Sequence, residues 1–502
     1  MNDLFLCVRP PRPLWPFNGP STAFWPPLAF ASLAAALRSR CPGLGVEVLD
    51  APALEMGWRT LGDALERRHP TWVAIGEEAV SCVEGLRLAR LARATGARVI
   101  AGGCFFGQVA REAIQTGLID VVAQGEGEET VVELTQALRD VSTSALRRVA
   151  GITFRDGDEI VTTAPRPLLG DLDALPLPAY DLLPVERYGA RSRNHPQFAA
   201  IELGRGCVGA CDFCVLWRQM GRHVGDRIVP HLRVKSPHRL IEEVRMLVRH
   251  HGRRYLGWVD PCFNAHPTVP GQLAELLLRE NLPIGQSAWM RADALLRDAA
   301  SGALEACVRA GLNEVYLGIE RADDAGLRSL GKTGAIEDAR RALELLHSRH
   351  PQVLVVGSFI YGLPGDTPET MRALYRLSVE LALDLAFFIP FTPLPGTGGW
   401  RSELWDPTGE QFRHFDFLPP SPLNGQTREL DRALTRLALF YWPAGRVCNY
   451  ARQLASRHTR LCRANWHLLG RAARFHARNL LGEILGRAEP TSGLVFPKWY
   501  EA

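Results

Sequence analysis

Two successive series of short apolar runs alternating with amphipathic, helix-periodic runs restrict this chain more than any other feature. In the first, Leu4–Val8, Val46–Asp50, Trp72–Gly76, Arg98–Ala101 and Asp120–Ala123 read as strands. Pro27–Ser39, Glu84–Ala94, Gln108–Thr116 and Glu128–Leu138 read as the helices between them. This order predicts an α/β unit of the doubly wound, Rossmann-like kind, a parallel sheet with helices on both faces and a ligand site beyond the carboxyl ends of the strands.

The second series places strands at Phe198–Leu203, Tyr255–Val259, Ile284–Met290, Glu314–Ile319, Val353–Tyr361 and Leu385–Phe391. Six such units fit a partial (β/α)6 barrel, whose functional loops all leave the carboxyl ends of its strands. Between the two series lies a connector with a hairpin (Gly151–Phe154, Glu159–Thr163) and the proline-rich stretch Leu175–Pro184, where missing backbone donors favour extended chain. The expected division is therefore 1–140, a connector over 141–195, a barrel over 196–400 and a mostly helical region over 401–502.

Charge is unevenly spread along this division. From Arg428 to Ala502 there are thirteen Arg and Lys against five Asp and Glu, or +8, so the net +4 of the chain leaves the rest at about −4. That balance argues against a protein that coats nucleic acid and confines the basic surface to the C-terminal region. There, Arg428–Tyr441 and Ala464–Arg487 read as helices. The second carries an apolar stripe (Trp466, Leu469, Ala473, Leu480, Leu481, Ile484, Leu485) with Arg471, Arg474, Arg478 and Arg487 toward its other side. Two readings stay open: a helical cap on the barrel, or a face for a membrane surface or an acidic substrate.

Eleven cysteines in 502 residues are too sparse for a secreted disulfide framework. Prolines interrupt Met1–Pro20, and no run reaches the 18 or so apolar residues of a spanning helix, so a cytoplasmic location is expected. Eight cysteines are scattered and three are clustered. Cys207, Cys211 and Cys214 stand at C-x3-C-x2-C spacing in Gly204-Arg205-Gly206-Cys207-Val208-Gly209-Ala210-Cys211-Asp212-Phe213-Cys214, directly off the first barrel strand. A structural zinc site wants four ligands, and no partner pair lies nearby. Three thiolates on a glycine-containing loop suit three irons of a cubane and leave the fourth open to a substrate or cofactor.

Two glycine clusters follow strands of the first series, Gly102-Gly103 and Gly125-Glu126-Gly127. They let backbone approach a large flat ligand, or they are tight turns and no more.

The cysteine motif, with Phe213 before its last member, resembles the signature of the radical S-adenosylmethionine (SAM) superfamily. The resemblance implies a 4Fe-4S cluster whose open iron is chelated by SAM, with reductive cleavage to a 5′-deoxyadenosyl radical. Later segments are similar to that family too. Tyr316-Leu317-Gly318-Ile319-Glu320, followed by Leu330-Gly331-Lys332, looks like its fourth-strand pattern, where the acidic residue helps hold SAM. Gly357-Ser358-Phe359-Ile360-Tyr361-Gly362-Leu363-Pro364-Gly365 looks like its fifth-strand glycine segment, passing the adenine at Gly362. Arg291 lies where a contact to the SAM carboxylate is expected. One departure concerns the second strand, which ends Asp260-Pro261-Cys262-Phe263-Asn264 in place of a Gly-Gly-Glu form. Cys262 is then either a donor or ligand in the site or a small packing residue.

The first unit, with Gly102, Gly103, Gly125, Glu126 and Gly127, resembles the cobalamin-binding domain fused to many radical SAM enzymes. Among radical SAM enzymes the chain resembles the cobalamin-dependent radical SAM methyltransferases and the anaerobic magnesium-protoporphyrin monomethyl ester cyclase family. No Asp-x-His-x-x-Gly loop occurs, and His69 is the single histidine before His195, so a protein imidazole on cobalt is disfavoured. The resemblance implies methylation of an unactivated carbon of a small-molecule substrate, with an electron donor such as flavodoxin or ferredoxin as partner. A radical cyclase or ring-rearranging enzyme with the same cofactors, and a non-catalytic corrinoid or iron–sulfur sensor, are the alternatives. Without a second cysteine triplet, a methylthiotransferase is disfavoured.

Overall fold

The structure is a computed structural model that describes residues 3–14, 25–139, 143–190, 192, 195–225, 227–418, 427–441, 444–455, 459–485 and 494–502. The first unit is a seven-stranded sheet in the order β2-β1-β3-β4-β5-β6-β7, with β1 Leu4–Arg9, β2 Gly45–Asp50, β3 Trp72–Ile75, β4 Arg98–Ala101, β5 Val121–Ala123, β6 Ile152–Asp156 and β7 Glu159–Thr162. Strands β1 to β5 are parallel. Alternation along them feeds two apolar layers. Leu6, Val8, Val73 and Val99 pack on one face, and Phe5, Cys7, Trp72 and Ile100 on the other, as a parallel sheet buried between helices requires.

Several expectations change in detail. The hairpin β6–β7 pairs antiparallel with β5 and extends the first sheet to Thr162, past the boundary expected at 140. Gln108–Thr116 is not one helix: Gly103–Phe106 and Ala110–Gln115 form separate turns. A helix not anticipated between β2 and β3, Trp58–Arg68, buries only Trp58, Leu61, Ala64 and Leu65 among charged residues.

The second sheet has six parallel strands in sequential order, β8 Phe198–Ile201, β9 Tyr255–Trp258, β10 Gly285–Met290, β11 Leu312–Glu320, β12 Leu354–Tyr361 and β13 Leu385–Pro390. This is the expected partial barrel. Its main core lies between strands and outer helices, where Ala288, Met290, Val315, Leu317 and Val355 are buried.

The connector staples the two units together. Ala179 N–H donates to Ala31 O at 3.0 Å, the Tyr180 hydroxyl donates to Ala200 O, and the Tyr188 hydroxyl donates to Asp50 Oδ2 at 2.7 Å.

The 401–502 region does not act as one helical block. Phe412 and Phe415 belong to the core of the first unit. Tyr500 joins them there, its hydroxyl donating to Glu84 Oε1 at 2.7 Å. The helix Thr427–Phe440 instead docks on the barrel, with Leu430, Leu434 and Leu437 buried and the Tyr361 hydroxyl donating to Asp431 Oδ1 at 2.7 Å. The helix Thr459–Ile484 starts before the expected Ala464, and Leu469 packs on Leu354, Val356 and Leu385 of the barrel, in keeping with the cap reading. Farther along, Leu481, Ile484 and Leu485 are exposed, whereas Arg487 and the Trp466 side chain lie outside the described residues. Among the described residues no helix is long and apolar enough to cross a membrane.

Candidate active site

The cysteine loop leaves β8 and is fixed at its root by polar contacts rather than by packing. Asp260, at the end of β9, accepts the N–H groups of Leu203 at 2.8 Å and Gly204 at 2.7 Å. Burial pushes its carboxyl up to about 7, although the two donors pull it down. Gly204 and Arg205 then pair antiparallel with Val234 and Arg233. At Gly206, φ is +90° and a Cβ would strike His231 O, so glycine is required for the chain to turn into the motif.

Within the loop, Cys207 and Cys211 converge over Gly209. A Cβ on Gly209 would lie 3.8 Å from Cys211 Sγ, 4.0 Å from Cys207 Sγ and 3.4 Å from Arg291 Nη1. Gly209 N–H donates to Cys207 Sγ at 3.4 Å, Trp217 Nε1 donates to Cys211 O at 2.8 Å, and the backbone N–H groups of Leu216 and Trp217 face Cys214. Burial pushes the Cys211 thiol up to about 11, with Lys332 opposing and Cys214 and Cys207 adding to the rise. Phe213 is half-buried beside them. Among the described residues no trio of His, Cys, Asp and Glu closes on a single metal ion. A cubane does not ask for that, because each thiolate binds its own iron. Three sulfurs on one loop, with N–H donors and a side-chain-free position between two of them, fit such a cluster.

The end of β11 approaches the loop from the side. Glu320 is buried in the left-handed region with φ +67°, and its Oε1 meets Lys332 Nζ at 3.0 Å. Lys332 also donates to Gly318 O at 2.7 Å. A Cβ on Gly318 would collide with Glu320 Oε1 and lie 2.8 Å from Lys332 Nζ, so this glycine makes room for the pair. The turn that carries Lys332 touches the cysteine loop directly, since Asp212 N–H donates to Leu330 O at 2.9 Å. Arg291 closes the same pocket. Its guanidinium holds Asp293 through two bonds of 3.0 and 2.7 Å and Thr333 Oγ1 at 2.9 Å. Between Arg291, Gly318, Lys332 and Thr333 lies a cavity of about 30 Å³. Gly362 ends β12 with φ +85°, its N–H donating to Asp366 Oδ2 at 2.9 Å.

Cys262 is buried, with its thiol 3.3 Å from Asn264 Oδ1 and pushed up to about 12 by burial. Asn264 also ties down Arg291, accepting its N–H at 2.9 Å and donating to its carbonyl at 3.2 Å. Asp260 and Asn264 thus do positioning work that no local spacing announces. Their signal was the departure from Gly-Gly-Glu at this strand end.

The first unit turns the carboxyl edge of its sheet toward the cysteine loop. Cys104, in the turn after Gly102 and Gly103, is exposed, yet burial pushes its thiol up to about 11, with Glu78 and Cys214 adding to the rise. Beside that turn, Gln108 lies against Gly396 of the loop after β13, a neighbour of Gly398, whose N–H donates to Asp212 O of the cysteine loop. Gly103 has φ +84°, and Gly125 has φ +77° with nothing within 4 Å of a Cβ. Gly127 packs on Leu33, whose Cδ2 would lie 2.7 Å from a Cβ there. His69 caps its helix before β3, at the amino end of the sheet.

Glu126 is not free to face a ligand. It accepts from Arg205 Nη1 at 2.9 Å, Arg233 Nη1 at 2.8 Å and Leu169 N–H at 2.7 Å. Glu128 accepts from Arg205 at 2.6 and 3.1 Å. The chain of ion pairs continues from Arg205 through Glu202 and Lys235 to Glu243 and Arg239, four acids and four bases with every side chain at most 18% exposed. Sequence reading missed this network. The paired acids of Gly-Glu-Gly-Glu and the arginine in Gly-Arg-Gly-Cys were its only local trace.

Residues 201–378 match the family described as the Radical SAM superfamily. An uncharacterized methyltransferase of Pyrococcus horikoshii is 27% identical over 381 residues, covering 75% of this chain and 78% of that one. An anaerobic magnesium-protoporphyrin IX monomethyl ester cyclase of Cereibacter sphaeroides is 29% identical over 442 residues, 84% of this chain and 68% of that one. Among solved structures, the radical SAM methyltransferase TsrM of Kitasatospora setae, with cobalamin and a [4Fe-4S] cluster bound, superposes with TM-score 0.61 at 19% identity over 79% of this chain and 74% of that one. The cobalamin-dependent radical enzyme OxsB, with aqua-cobalamin and SAM, gives 0.60 at 17% over 75% and 52%. At these identities the structural likeness speaks for the fold.

Proposed function

We propose that this chain, whose residues 201–378 match the Radical SAM superfamily, is a cobalamin-dependent radical SAM enzyme that methylates an unactivated carbon of a small molecule. One observation carries the reading. The loop after β13 bridges the carboxyl edge of the first sheet and the cysteine loop, with Gly396 against Gln108 and Gly398 N–H donating to Asp212 O at 3.3 Å. Two cofactor sites facing one another are what methyl transfer to a substrate radical needs.

Cys207, Cys211 and Cys214 would hold the cluster. Glu320, Lys332 and Arg291 would orient SAM, with Phe213 and Gly362 beside it. Gly102, Gly103, Gly125 and Gly127 would let the backbone approach a corrin, and Glu126 would act at one remove by clamping Arg205. A cluster with SAM supplies a carbon-centred radical and cobalamin a methyl carrier, while the protein supplies orientation and exclusion of water. Paired charges at Glu320–Lys332 and Arg291–Asp293 keep the pocket neutral overall before SAM enters.

The experiment is to incubate anaerobically reconstituted protein with SAM, cobalamin and a chemical reductant and to measure 5′-deoxyadenosine. Its formation is expected in the wild type and not in Cys211→Ala. Equal formation by both proteins contradicts the assignment. A cyclase is the second reading, favoured by the cyclase relative that spans 84% of this chain. Deoxyadenosine without S-adenosylhomocysteine from methyl transfer would select it.

A further inference from the structure

Strand register sorts the inside of the barrel into layers, because residues paired across a parallel sheet stand at one height and alternate residues share one face. Ala288, Met290, Val315, Leu317 and Val355 face the outer helices, so their strand neighbours face the lumen. The lowest lumen layer is Ser287, Glu314 and Leu354. Above it stand Trp289, Tyr316, Val356 and Leu385, and above those Gly318, Ser358 and Phe387, at the height where Arg291 leaves β10.

The lowest layer is closed. Glu314 is buried and meets His195 Nε2 at 2.7 Å, the Tyr316 hydroxyl at 2.6 Å and the Tyr255 hydroxyl at 3.3 Å. Burial alone would raise its carboxyl, but His195 and the hydroxyls hold it below the usual range. The middle layer is closed on one side, where Leu469 of the helix Thr459–Ile484 packs on the buried Val356 and Leu385, and open on the other. Trp289 is 37% exposed although it stands inside a strand, and Val259 at the end of β9 is 39% exposed. One face of the indole stacks on Tyr316, with centroids 4.9 Å apart and planes at 30°. The remaining surface looks into the lumen directly beneath Arg291, Gly318 and Ser358.

We propose that Trp289 is the platform on which the substrate lies, and that the substrate presents a planar, uncharged aromatic or conjugated surface to it. A ring stacked on an indole gains dispersion and quadrupole attraction over its whole face. Charge is not called for, since the ionised groups of the three layers are paired: Glu314 with His195, Arg291 with Asp293, Glu320 with Lys332. The inference rests on the radical SAM reading only for the chemistry done above Trp289; the stacking surface stands without it.

The test uses the full-length reconstituted protein, with indole as the planar probe and cyclohexanol as a non-planar control, binding being read by titration calorimetry and saturation-transfer NMR. SAM binding is measured in parallel by equilibrium dialysis. Wild type is expected to bind indole more tightly than cyclohexanol. Trp289→Ala should weaken indole binding about tenfold, as loss of a stacking partner does, while Trp289→Phe retains most of it and SAM binding is unchanged in both. Because Trp289 is more than one-third exposed, melting curves of the variants should follow the wild type. Indole binding to Trp289→Ala as tight as to wild type, or no preference for indole over cyclohexanol, would overturn the proposal. Loss of SAM binding by the wild type with indole binding intact would instead sink the radical SAM reading.

Discussion

Glu320 and Gly318 show how much chemistry rests on two backbone positions. A non-glycine residue at φ +67° costs about 1–2 kcal/mol, and the strain is held in place by Lys332 and by the space Gly318 leaves. Gly318→Ala should therefore displace the Glu320–Lys332 pair and weaken SAM binding about tenfold or more, measured by equilibrium dialysis; unchanged affinity would place SAM elsewhere. Cys211→Ala should leave anaerobically reconstituted protein with little iron by colorimetric assay, whereas Cys307→Ala, in the outer core, should retain it. The cysteine motif was legible because its ligands are neighbours in sequence. Asp260 and Asn264 were not, since their partners Leu203, Gly204 and Arg291 come from other strands.

Elements were legible where periodicity is local. All six barrel strands fell where apolar runs stood, while Trp58–Arg68 was hidden by a stripe of four buried residues among charges. The β6–β7 hairpin was visible, but its pairing with β5 is long-range and left no local mark. The ion-pair network joining the first sheet to the cysteine loop belongs to this scale. Removing one member of a buried pair strands its partners, so Arg205→Ala should lower stability by about 3–5 kcal/mol in denaturant titration, more than Arg38→Ala at the exposed pair with Asp181.

Docking of the helix Thr427–Phe440 carries a pH signature. Burial pushes the Asp431 carboxyl up to about 7, against the pull of the Tyr361 hydroxyl. Between the ordinary carboxylate range and pH 7 the folded state keeps a proton that the unfolded chain has released, so this stabilising contribution falls as pH rises and is gone above about 7. Asp431→Asn should make the melting temperature less dependent on pH over that window. Glu77 and Asp416, pushed the same way, will leave a residual slope.

At the scale of the whole molecule, the chain folds back on itself. Phe412, Phe415 and Tyr500 complete the core of the first unit, and the connector binds that unit to the barrel. The two sheets are thereby held with one carboxyl edge facing the cysteine loop. Neither series of strands revealed this apposition, because it depends on Arg205, Glu126, Glu128 and Tyr188 meeting partners some 77 to 138 residues away. Methyl transfer to a substrate radical requires both cofactors to reside on one chain. Iron and corrinoid should be counted together on protein reconstituted anaerobically with iron, sulfide and cobalamin and then freed of excess. About four irons and close to one corrinoid per chain are expected, with the iron lost and the corrinoid kept in Cys211→Ala. Iron without corrinoid would contradict a two-cofactor methyltransferase.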